Sequence, residues 1–388
     1  MSPSPRKALF ASGNYWASPM QAGSHHIARE LVARGWKLAY ISDPISPWHL
    51  LGGVDLARRA ALYRHGGQWE LDENLWSYVP GALVVPANQP LLRSSWVHSH
   101  WQQLSFPNVV HKVRQHGFGQ VDLLLMDSFS QPFWLDALHA DCTVFRVADR
   151  LDHYPKATPA ARAAQAEIAT RVDVVAYTAC TLEPYIQSLH PRRVIHFPNG
   201  LNFKHFAGQQ HPCPVEYLDL LRPIVVYVGA LDAWFDCDLV ADAARRMPGT
   251  SFVLIGPDEL IAQRIERLPN LHLLGRRAYG DLPAYLQHAD AGMIPFDVEG
   301  YPQLVHGIHP LKLYEYLACG LPVVAVAWQE LETLKAPIYL SRSSEQFIEY
   351  LRQALEDKTG VDERVAFAAQ ADWGRRLEAF LNALEVGL

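Results

Sequence analysis

Short, mainly apolar runs recur along the chain, and several of them end in an aspartate or a glycine. Residues 121–126, 143–148, 224–228 and 252–255 precede Asp127, Asp149, Gly229 and Gly256, respectively. Strands buried on both faces of a parallel sheet have this composition. Because helical patterns lie between the runs, the sequence predicts an α/β fold built on parallel sheets.

The alternation of strands and helices restarts at Pro223, after a polar stretch that contains prolines. We therefore predict an N-terminal domain over residues 1–206, a linker over residues 207–222 and a C-terminal domain over residues 223–372. The last segment, 373–388, has an amphipathic pattern and could pack back on the first domain. A chain of 388 residues is long enough for two domains of ordinary size.

Composition limits the functions that this chain can have. The net charge is −6 and no long run of Lys or Arg is present, so nucleic acid is not an expected partner. The five cysteines are scattered without a C-x-x-C pair, which predicts neither a disulfide framework nor a zinc site and fits a reducing cytoplasm. No stretch is long and apolar enough to cross a bilayer, so we expect a cytoplasmic protein whose membrane association is at most peripheral.

Residues 309–320 (HPLKLYEYLACG) carry the signals for the start and the end of a helix. Pro310 suits the first helical position, and Gly320 suits the left-handed residue that ends a helix. Lys312 then lies in the first turn, where unpaired N–H groups already favour an anion, and Glu315 lies one turn further on the same side. The spacing suits a diphosphate near Lys312 and a sugar diol near Glu315. A surface helix with an ordinary Lys and Glu is the alternative.

The loop after the first strand lacks G-x-G-x-x-G, so a dinucleotide site is not predicted there. Its polar and aromatic residues are suited to an exposed binding surface. They are Asn14, Tyr15, Trp16, Met20, His25 and His26. The alternative is a long loop packed by its own aromatic side chains.

Residues 48–101 mix aromatic and basic side chains, which suggests either a membrane-surface face or ordinary core packing. His98 and His100 are expected to alternate onto one face of a strand. No third metal ligand is nearby in the sequence, so no metal site is predicted.

Residues 310–324 (PLKLYEYLACGLPVV) resemble the donor-binding signature of the GT-B glycosyltransferases. Segments 197–200 (FPNG), 271–277 (LHLLGRR) and 289–292 (ADAG) are similar to the same family. Segment 145–151 (FRVADRL) resembles the bacterial xanthan-type glucuronosyltransferases, and the C-terminal half also resembles teichuronic-acid-type transferases. The resemblance implies a GT-B fold, with two facing Rossmann-like domains, an acceptor-binding one and then a donor-binding one, and a cleft between them.

The resemblance also implies roles for individual residues. The aspartate of the strand-end motif is the general base of the glucuronosyltransferases and corresponds to Asp149, and the lysine of the donor helix, which holds the diphosphate, corresponds to Lys312. Glu315 stands where that family has an amide and where many relatives have a ribose-binding glutamate. The expected donor-binding residues are Gly229, Leu231, Arg276, Phe296, Leu311, Lys312 and Glu315, and the expected acceptor-binding residues are Asn14, Tyr15 and His25.

The implied activity is transfer of a sugar, with glucuronic acid as one candidate, from a nucleotide diphosphate donor, expected to be a UDP-sugar. The implied acceptor is a lipid-linked glycan of bacterial surface or exopolysaccharide synthesis. Retaining GT-B enzymes often carry E-x7-E, but Gly307 stands eight residues before Glu315, which favours an inverting reaction. Arg276 stands where the glucuronosyltransferases have a glutamate, so the resemblance does not identify the donor sugar of this chain.

Inverting transfer needs a base and a group that stabilises the leaving diphosphate, but neither a metal nor a cofactor. Asp149 and Lys312 suit these roles, with Asp127 or Asp152 as alternative bases. Asp236 and Asp238 form a D-x-D pattern that we interpret as a helix cap rather than a metal site. The alternatives are a retaining transferase, a sugar-nucleotide epimerase of the same architecture and a catalytically inactive scaffold protein.

Overall fold

The computed structural model of the chain describes residues 5–18, 21–51, 55–89, 92–153, 157–257 and 260–385, without the side chains of Leu50, Leu51 and His153. The chain divides into two compact units. Unit 1 comprises Met1–Pro198 and Leu377–Leu388, and unit 2 comprises Asn199–Arg376. Each unit is an α/β domain around a mainly or wholly parallel sheet, which confirms the predicted fold class.

The unit boundaries differ from the predicted ones. Unit 1 ends at Pro198 rather than at residue 206, and the predicted linker 207–222 belongs to unit 2. The reason is hydrophobic: Phe206 and Tyr217 are 0% and 3% exposed in the core of unit 2. The chain returns to unit 1 at Leu377, within its last helix.

The described residues of unit 1 form eight strands. They are β1 (Lys7–Ser12), β2 (Lys37–Ser42), β3 (Gln68–Glu70), β4 (Leu75–Tyr78), β5 (Gln120–Met126), β6 (His139–Val147), β7 (Val174–Tyr177) and β8 (Val194–His196). Their order in the sheet is β3-β4-β2-β1-β5-β6-β7-β8. All neighbours are parallel except β3 and β4, which form an antiparallel edge.

Helices cover the sheet of unit 1. They are α1 (Gly23–Ala33), α2 (Leu56–His65), α3 (Ser95–His100), α4 (Val109–Gln115), α5 (Trp134–Ala137), α6 (Pro159–Arg171) and α7 (Glu183–Ser188). Their ends follow local signals: the Thr158 hydroxyl accepts a hydrogen bond from the Ala161 N–H at 3.1 Å and starts α6. Helix α1 ends before Gly35, which adopts the left-handed conformation with a φ of +83°.

The prediction that His98 and His100 share a strand face is wrong, because both lie on helix α3. Residues two apart on a helix point in nearly opposite directions. His98 is 4% exposed, whereas the His100 ring stacks on Trp96 at 5.1 Å. Ser94 starts the helix by accepting from the Val97 N–H at 3.4 Å.

The aromatic residues of segment 48–101 fall into two groups. Trp76 and Trp101, at 1% and 0% exposure, pack in the core of unit 1. Trp48 and Trp96 are each 53% exposed. Core packing therefore accounts for part of this segment, and the exposed indoles need another explanation.

In the part of unit 2 that the structure describes there are six strands, all parallel to their neighbours. They are β9 (Ile224–Val228), β10 (Ser251–Ile255), β11 (Leu271–Gly275), β12 (Ala291–Ile294), β13 (Val323–Val326) and β14 (Tyr339–Ser341). Their order is β11-β10-β9-β12-β13-β14. The chain order reverses at β9, and ligands of such sheets bind at the carboxyl ends of the strands at this point.

The helices of unit 2 surround this sheet. They are α8 (Phe203–Ala207), α9 (Cys237–Arg246), α10 (Leu282–Gln287), α11 (Pro302–Val305), α12 (Leu311–Ala318), α13 (Gln329–Thr333), α14 (Ser344–Glu356) and α15 (Val361–Gln370), and the chain ends with α16 (Trp373–Leu384). Pro310 is the cap residue of α12, one position earlier than predicted. Gly320 adopts a φ of +76°, as expected for a residue that ends a helix. Among the described residues, no helix is both long enough and apolar enough to span a bilayer.

Candidate functional site

Two adjacent strands of unit 2 end in glycines whose positive φ angles disfavour any side chain. Gly229 follows β9 with a φ of +149°, and Gly256 follows β10 with a φ of +159°. A Cβ atom on Gly256 would lie 1.9 Å from the Gly229 carbonyl oxygen. Glycine is therefore required here, and it leaves bare backbone at the carboxyl edge of the sheet.

The N–H of Gly229 is not available to a ligand, because it donates to the Ile255 carbonyl at 2.9 Å. The Gly256 N–H likewise donates to the Gly275 carbonyl at 3.0 Å. Gly229 thus contributes space rather than a hydrogen-bond donor.

Lys312 lies in the first turn of α12, as predicted, and its side chain reaches across to β9. Its Nζ donates to the Tyr227 hydroxyl at 3.0 Å. It also lies 4.6 Å from the ring centroids of both Tyr227 and Phe296. A Cβ atom on Gly229 would lie 2.8 Å from Lys312 Cε and 2.9 Å from Nζ, so the lysine fills the space that the missing side chain leaves.

Burial changes the charge of this site. Desolvation lowers the pKa of Lys312 to about 7, and the nearby Glu315 carboxylate opposes that shift. Burial also raises the pKa of Glu315 to about 7, against the effect of the Lys312 charge. Near neutral pH both groups titrate, so the net charge of the free site is low. A bound anion favours the protonated form of both groups and thereby makes the site more positive.

The other predicted donor residues lie in different environments. Phe296 is 2% exposed and packs on Trp328 with ring centroids 5.4 Å apart. Leu231 is 1% exposed, and its side chain belongs to the hydrophobic core. Leu311 is the half-buried first residue of α12, and Arg276 is exposed at the end of β11. The contacts thus join Gly229, Phe296 and Lys312, while the Leu231 side chain packs inside the domain.

Sequence reasoning missed Tyr227, which connects β9 to α12. It is 0% exposed, and its hydroxyl donates to the Ala230 carbonyl at 2.7 Å while accepting from Lys312. A tyrosine within an otherwise aliphatic strand was the available signal, since a buried hydroxyl needs a partner. The partner could not be identified because it lies 85 residues away in the sequence.

A second missed pair precedes α12. The His309 Nδ1 and a Glu330 carboxylate oxygen are 2.8 Å apart, and the two side chains are 1% and 0% exposed. The Tyr314 hydroxyl lies 3.0 Å from His309 Nε2. These contacts fix the segment that leads into the helix of Lys312.

In unit 1, the candidate base Asp149 follows β6 and is half-buried. Nearby, Arg146 on β6 is 4% exposed, and its guanidinium lies against Gly23, where a Cβ atom would be 2.8 Å from Nη2. Burial lowers the pKa of Arg146 to about 10, and the charges of Asp127 and Asp149 counteract that effect. Asp149 therefore lies in the field of a buried cation.

The two alternative bases have structural partners. Asp127 accepts from the Gly13 N–H at 2.9 Å and from the Ser12 hydroxyl at 3.2 Å, so it fixes the loop after β1. Asp152 is ion-paired with Arg150 at 2.8 Å. The role of Asp149 as the base stays a prediction.

The predicted acceptor loop is packed by its own aromatic side chains, and only part of it matches an exposed surface. Asn14 is exposed, but Tyr15 and His25 are 7% and 0% exposed. The Tyr15 hydroxyl donates to Asp55 at 3.0 Å, and Trp16 stacks on His25 at 5.6 Å. The exposed-surface interpretation is thus wrong for the Tyr15 and His25 side chains, and Met20 lies outside the described residues.

His25 holds this loop as a neutral ring. Burial lowers its pKa to about 4. Its Nδ1 accepts from the Ala22 N–H at 3.1 Å, and its Nε2 lies 3.1 Å from the Tyr15 carbonyl, which it can reach only as a donor. The ring therefore joins the start of α1 to the loop.

Asp43, at the end of β2, is a further carboxylate that sequence reasoning missed. One of its oxygens accepts from Ser128 at 2.6 Å, Ser130 at 2.5 Å and Gln131 at 3.0 Å. Burial raises its pKa even though these donors favour the charged form. An aspartate directly after a strand, as at Asp127 and Asp149, was the signal.

The D-x-D pattern is a helix cap, as predicted. Asp236 is the cap residue of α9, and its carboxylate accepts from the Leu239 N–H at 2.8 Å.

Comparisons with known proteins identify the family. Residues 10–178 match the family model described as "Glucuronosyltransferase GumK, N-terminal domain", and residues 222–357 match "Glycosyl transferases group 1". Both models describe glycosyltransferases, so this chain is a glycosyltransferase. This confirms the family resemblance for both halves of the sequence.

A curated relative is the putative teichuronic acid biosynthesis glycosyltransferase TuaH of Bacillus subtilis. The two are 28% identical over 144 residues, and the match covers 36% of this chain and 36% of that relative. The chain thus spans about a third of the length of the relative it matches.

Solved structures share the fold over nearly the whole chain. Anabaena Alr3699/HepE in complex with UDP and glucose has a TM-score of 0.64 at 16% identity and covers 99% of this chain and 100% of its own. Sucrose-phosphate synthase from Thermosynechococcus elongatus has a TM-score of 0.61 at 16% identity, with 98% and 97% covered. At this identity the likeness establishes the GT-B fold alone.

Proposed function

We propose that this protein is a glycosyltransferase that moves a sugar from a UDP-sugar to a glycan acceptor with inversion at the anomeric carbon. The observation that carries the proposal is Lys312 Nζ, held against Gly229 at the switch point of a parallel sheet. A lysine beside bare backbone in the first turn of a helix is suited to a diphosphate. The HepE structures, which hold UDP or UDP-glucose, support a nucleotide-sugar donor.

The reaction proposed is a single displacement. An acceptor hydroxyl attacks the anomeric carbon, the bond from that carbon to the diphosphate oxygen breaks, and UDP leaves. Asp149 takes the proton of the attacking hydroxyl, and Lys312 neutralises the charge that grows on the leaving diphosphate. Gly307 in place of the first glutamate of E-x7-E supports inversion.

Binding of the donor is tested first. A thermal-shift panel of UDP, UMP, CDP, ADP and GDP, and of UDP-glucose and UDP-glucuronic acid, identifies the donor, because a ligand that binds the folded state raises the melting temperature. We expect UDP to stabilise more than UMP, and glucuronic acid is the first donor sugar to test. A protein that none of these compounds stabilises contradicts the proposal.

Two experiments separate the alternatives. NMR of the product anomer distinguishes inversion from retention at the new bond. Incubation with UDP-sugars alone detects an epimerase, because an epimerised sugar would form without any acceptor.

Activity that survives EDTA is expected, since Asp236 of the D-x-D pattern caps α9.

The acceptor that we propose is a lipid-linked oligosaccharide of bacterial surface or exopolysaccharide synthesis, met at the inner face of the cytoplasmic membrane. Unit 1 carries exposed apolar side chains that suit a lipid surface: Leu83 is 65% exposed and Phe106 is 78% exposed. They lie on adjacent segments, since the Leu83 N–H donates to the Leu104 carbonyl at 3.1 Å and the Phe106 N–H to Gly81 at 2.9 Å.

Helix α2 contacts one of these segments and carries positive charge. Its Tyr63 hydroxyl donates to the Phe106 carbonyl at 2.6 Å, and Arg58 and Arg64 on the same helix are exposed. Arginines next to apolar side chains attract anionic lipids. Flotation with phosphatidylglycerol vesicles tests this: wild type should float and a Leu83→Ser/Phe106→Ser variant should not. Vesicles of phosphatidylcholine alone are the control, and a variant that floats like wild type contradicts this part of the proposal.

A further inference from the structure

The proposed donor site needs a cation at one point, yet a lysine side chain has four rotatable bonds. An ammonium that sampled many positions would lose conformational entropy when the diphosphate arrived. Lys312 instead has a defined place, because its Nζ is 3.0 Å from the Tyr227 hydroxyl and 4.6 Å from the centroids of the Tyr227 and Phe296 rings.

The Tyr227 hydroxyl is directional. It donates its own hydrogen to the Ala230 carbonyl at 2.7 Å, which leaves its lone pairs for the Lys312 ammonium. The faces of the two aromatic rings also attract a cation. Gly229 completes the arrangement, since a Cβ atom there would lie 2.9 Å from Nζ.

We propose that Tyr227 is a positioning residue that, together with Phe296, holds the Lys312 ammonium over Gly229 before the donor binds. This inference rests on the proposed function and adds a residue to it. Tyr227 acts through Lys312 and is itself 0% exposed. Removing its hydroxyl should weaken the binding of a diphosphate and leave the binding of a monophosphate unchanged.

The sign of the effect on Lys312 follows from the contacts. Burial already lowers the pKa of Lys312 to about 7, and the hydroxyl and the rings favour its charged form. Among the described residues, Glu315 on the same helix is the charged group that acts on the pKa of Lys312. Tyr227, from β9, stays protonated because burial raises its pKa above the usual value. Tyr227→Phe should therefore lower the pKa of Lys312 further.

The first experiment needs no ligand. Lysines of the full chain are reductively methylated with a ¹³C label, and the Lys312 signal is assigned by its loss in Lys312→Met. We expect its titration midpoint near pH 7 in wild type and a clear downward shift in both Tyr227→Phe and Phe296→Leu. Tyr339→Phe is the matched control. The Tyr339 hydroxyl contacts Asp357 at 3.4 Å and Tyr339 lies on the edge strand β14, so this variant should leave the midpoint unchanged. An unchanged midpoint in Tyr227→Phe overturns the proposal.

The second experiment measures UDP and UMP affinity by calorimetry for wild type and Tyr227→Phe, with circular dichroism to verify folding. A hydrogen bond to a charged group predicts a loss of about tenfold for UDP, with UMP within twofold. Equal losses for both ligands would indicate a merely structural role and overturn the proposal. If wild type binds no nucleotide, the proposed function fails while the titration still decides the role of Tyr227.

Discussion

The carboxyl edges of the two parallel sheets share a topology and differ in chemistry. In unit 1 the strands β2, β5 and β6 are followed by Asp43, Asp127 and Asp149. In unit 2, β9 and β10 are followed by Gly229 and Gly256. Carboxylates at a sheet edge can accept protons and hydroxyl hydrogen bonds, whereas bare backbone admits a bulky anion.

The cations of the two edges differ as well. Arg146 in unit 1 is 4% exposed and lies among carboxylates, so its charge is compensated within the domain. Lys312 in unit 2 is held by aromatic rings and a hydroxyl, and its pKa is lowered to about 7 by burial. The difference suggests that unit 1 serves proton transfer and unit 2 serves anion binding. The following predictions test that division.

Asp149→Asn should have the largest effect. Loss of a general base reduces transfer by about a hundredfold or more, with the KM for the donor nearly unchanged because the proposed donor site lies in unit 2. UDP release in the presence of acceptor measures it. Asp152→Asn is the control, since Asp152 is ion-paired with Arg150 and should retain transfer within a few-fold. Survival of transfer in Asp149→Asn would show that the base lies elsewhere.

Lys312→Met should weaken UDP binding by roughly 10- to 100-fold, because a charged hydrogen bond to the diphosphate is lost. Calorimetry gives the two dissociation constants. The matched control is Lys358→Met, since Lys358 is exposed just after α14 and donates to the Leu355 carbonyl at 3.3 Å. UDP affinity within threefold of wild type would remove anion binding from this edge.

Gly229→Ala should weaken UDP binding by about tenfold, because the new Cβ meets Lys312 Cε at 2.8 Å and the φ of +149° strains any other residue. Gly249→Ala provides the comparison, since nothing lies within 4 Å of its added Cβ. Fluorescence titration with UDP is sufficient. Equal affinities in the two variants would mean that the space at Gly229 has no role in binding.

The smallest effect is a dependence on pH. Lys312, its pKa lowered to about 7 by burial, loses its charge as the pH rises through 7, and Glu315, its pKa raised to about 7 by burial, gains a negative one. Both changes disfavour an anion, so UDP affinity should fall between pH 7 and 8.5, by at most about tenfold per pH unit for each proton taken up on binding. Calorimetry in buffers of different ionisation enthalpy should detect proton uptake. An affinity independent of pH, or equally dependent in Lys312→Met, would exclude this linkage.

The parts that could be predicted from sequence depend on local signals. The buried strands, the stop at Gly320 and the cap at Asp236 follow from patterns within a few residues. Helix α3 was missed because it has only six residues, which is too short for its periodicity to differ from that of a strand.

The contacts of the site could not be predicted, because they join distant parts of the chain. Tyr227 and Lys312 are 85 residues apart, and Asp43 meets Ser128 across another 85. The burial of Tyr15 and His25 also depends on how the loop packs, which composition alone leaves open. The use of the Gly229 N–H within the backbone required the register of β9 and β10.

The return of the last helix to unit 1 has a consequence for synthesis of the protein. Phe380 on α16 stacks on Phe197 with ring centroids 4.1 Å apart, and Arg193 donates to the Ala383 carbonyl at 2.5 Å. The ribosome therefore makes the whole of unit 2, Asn199–Arg376, before residues 377–388 of unit 1. A nascent chain can finish its second domain first, and a stop codon before Leu377 would leave Phe197 without its stacking partner.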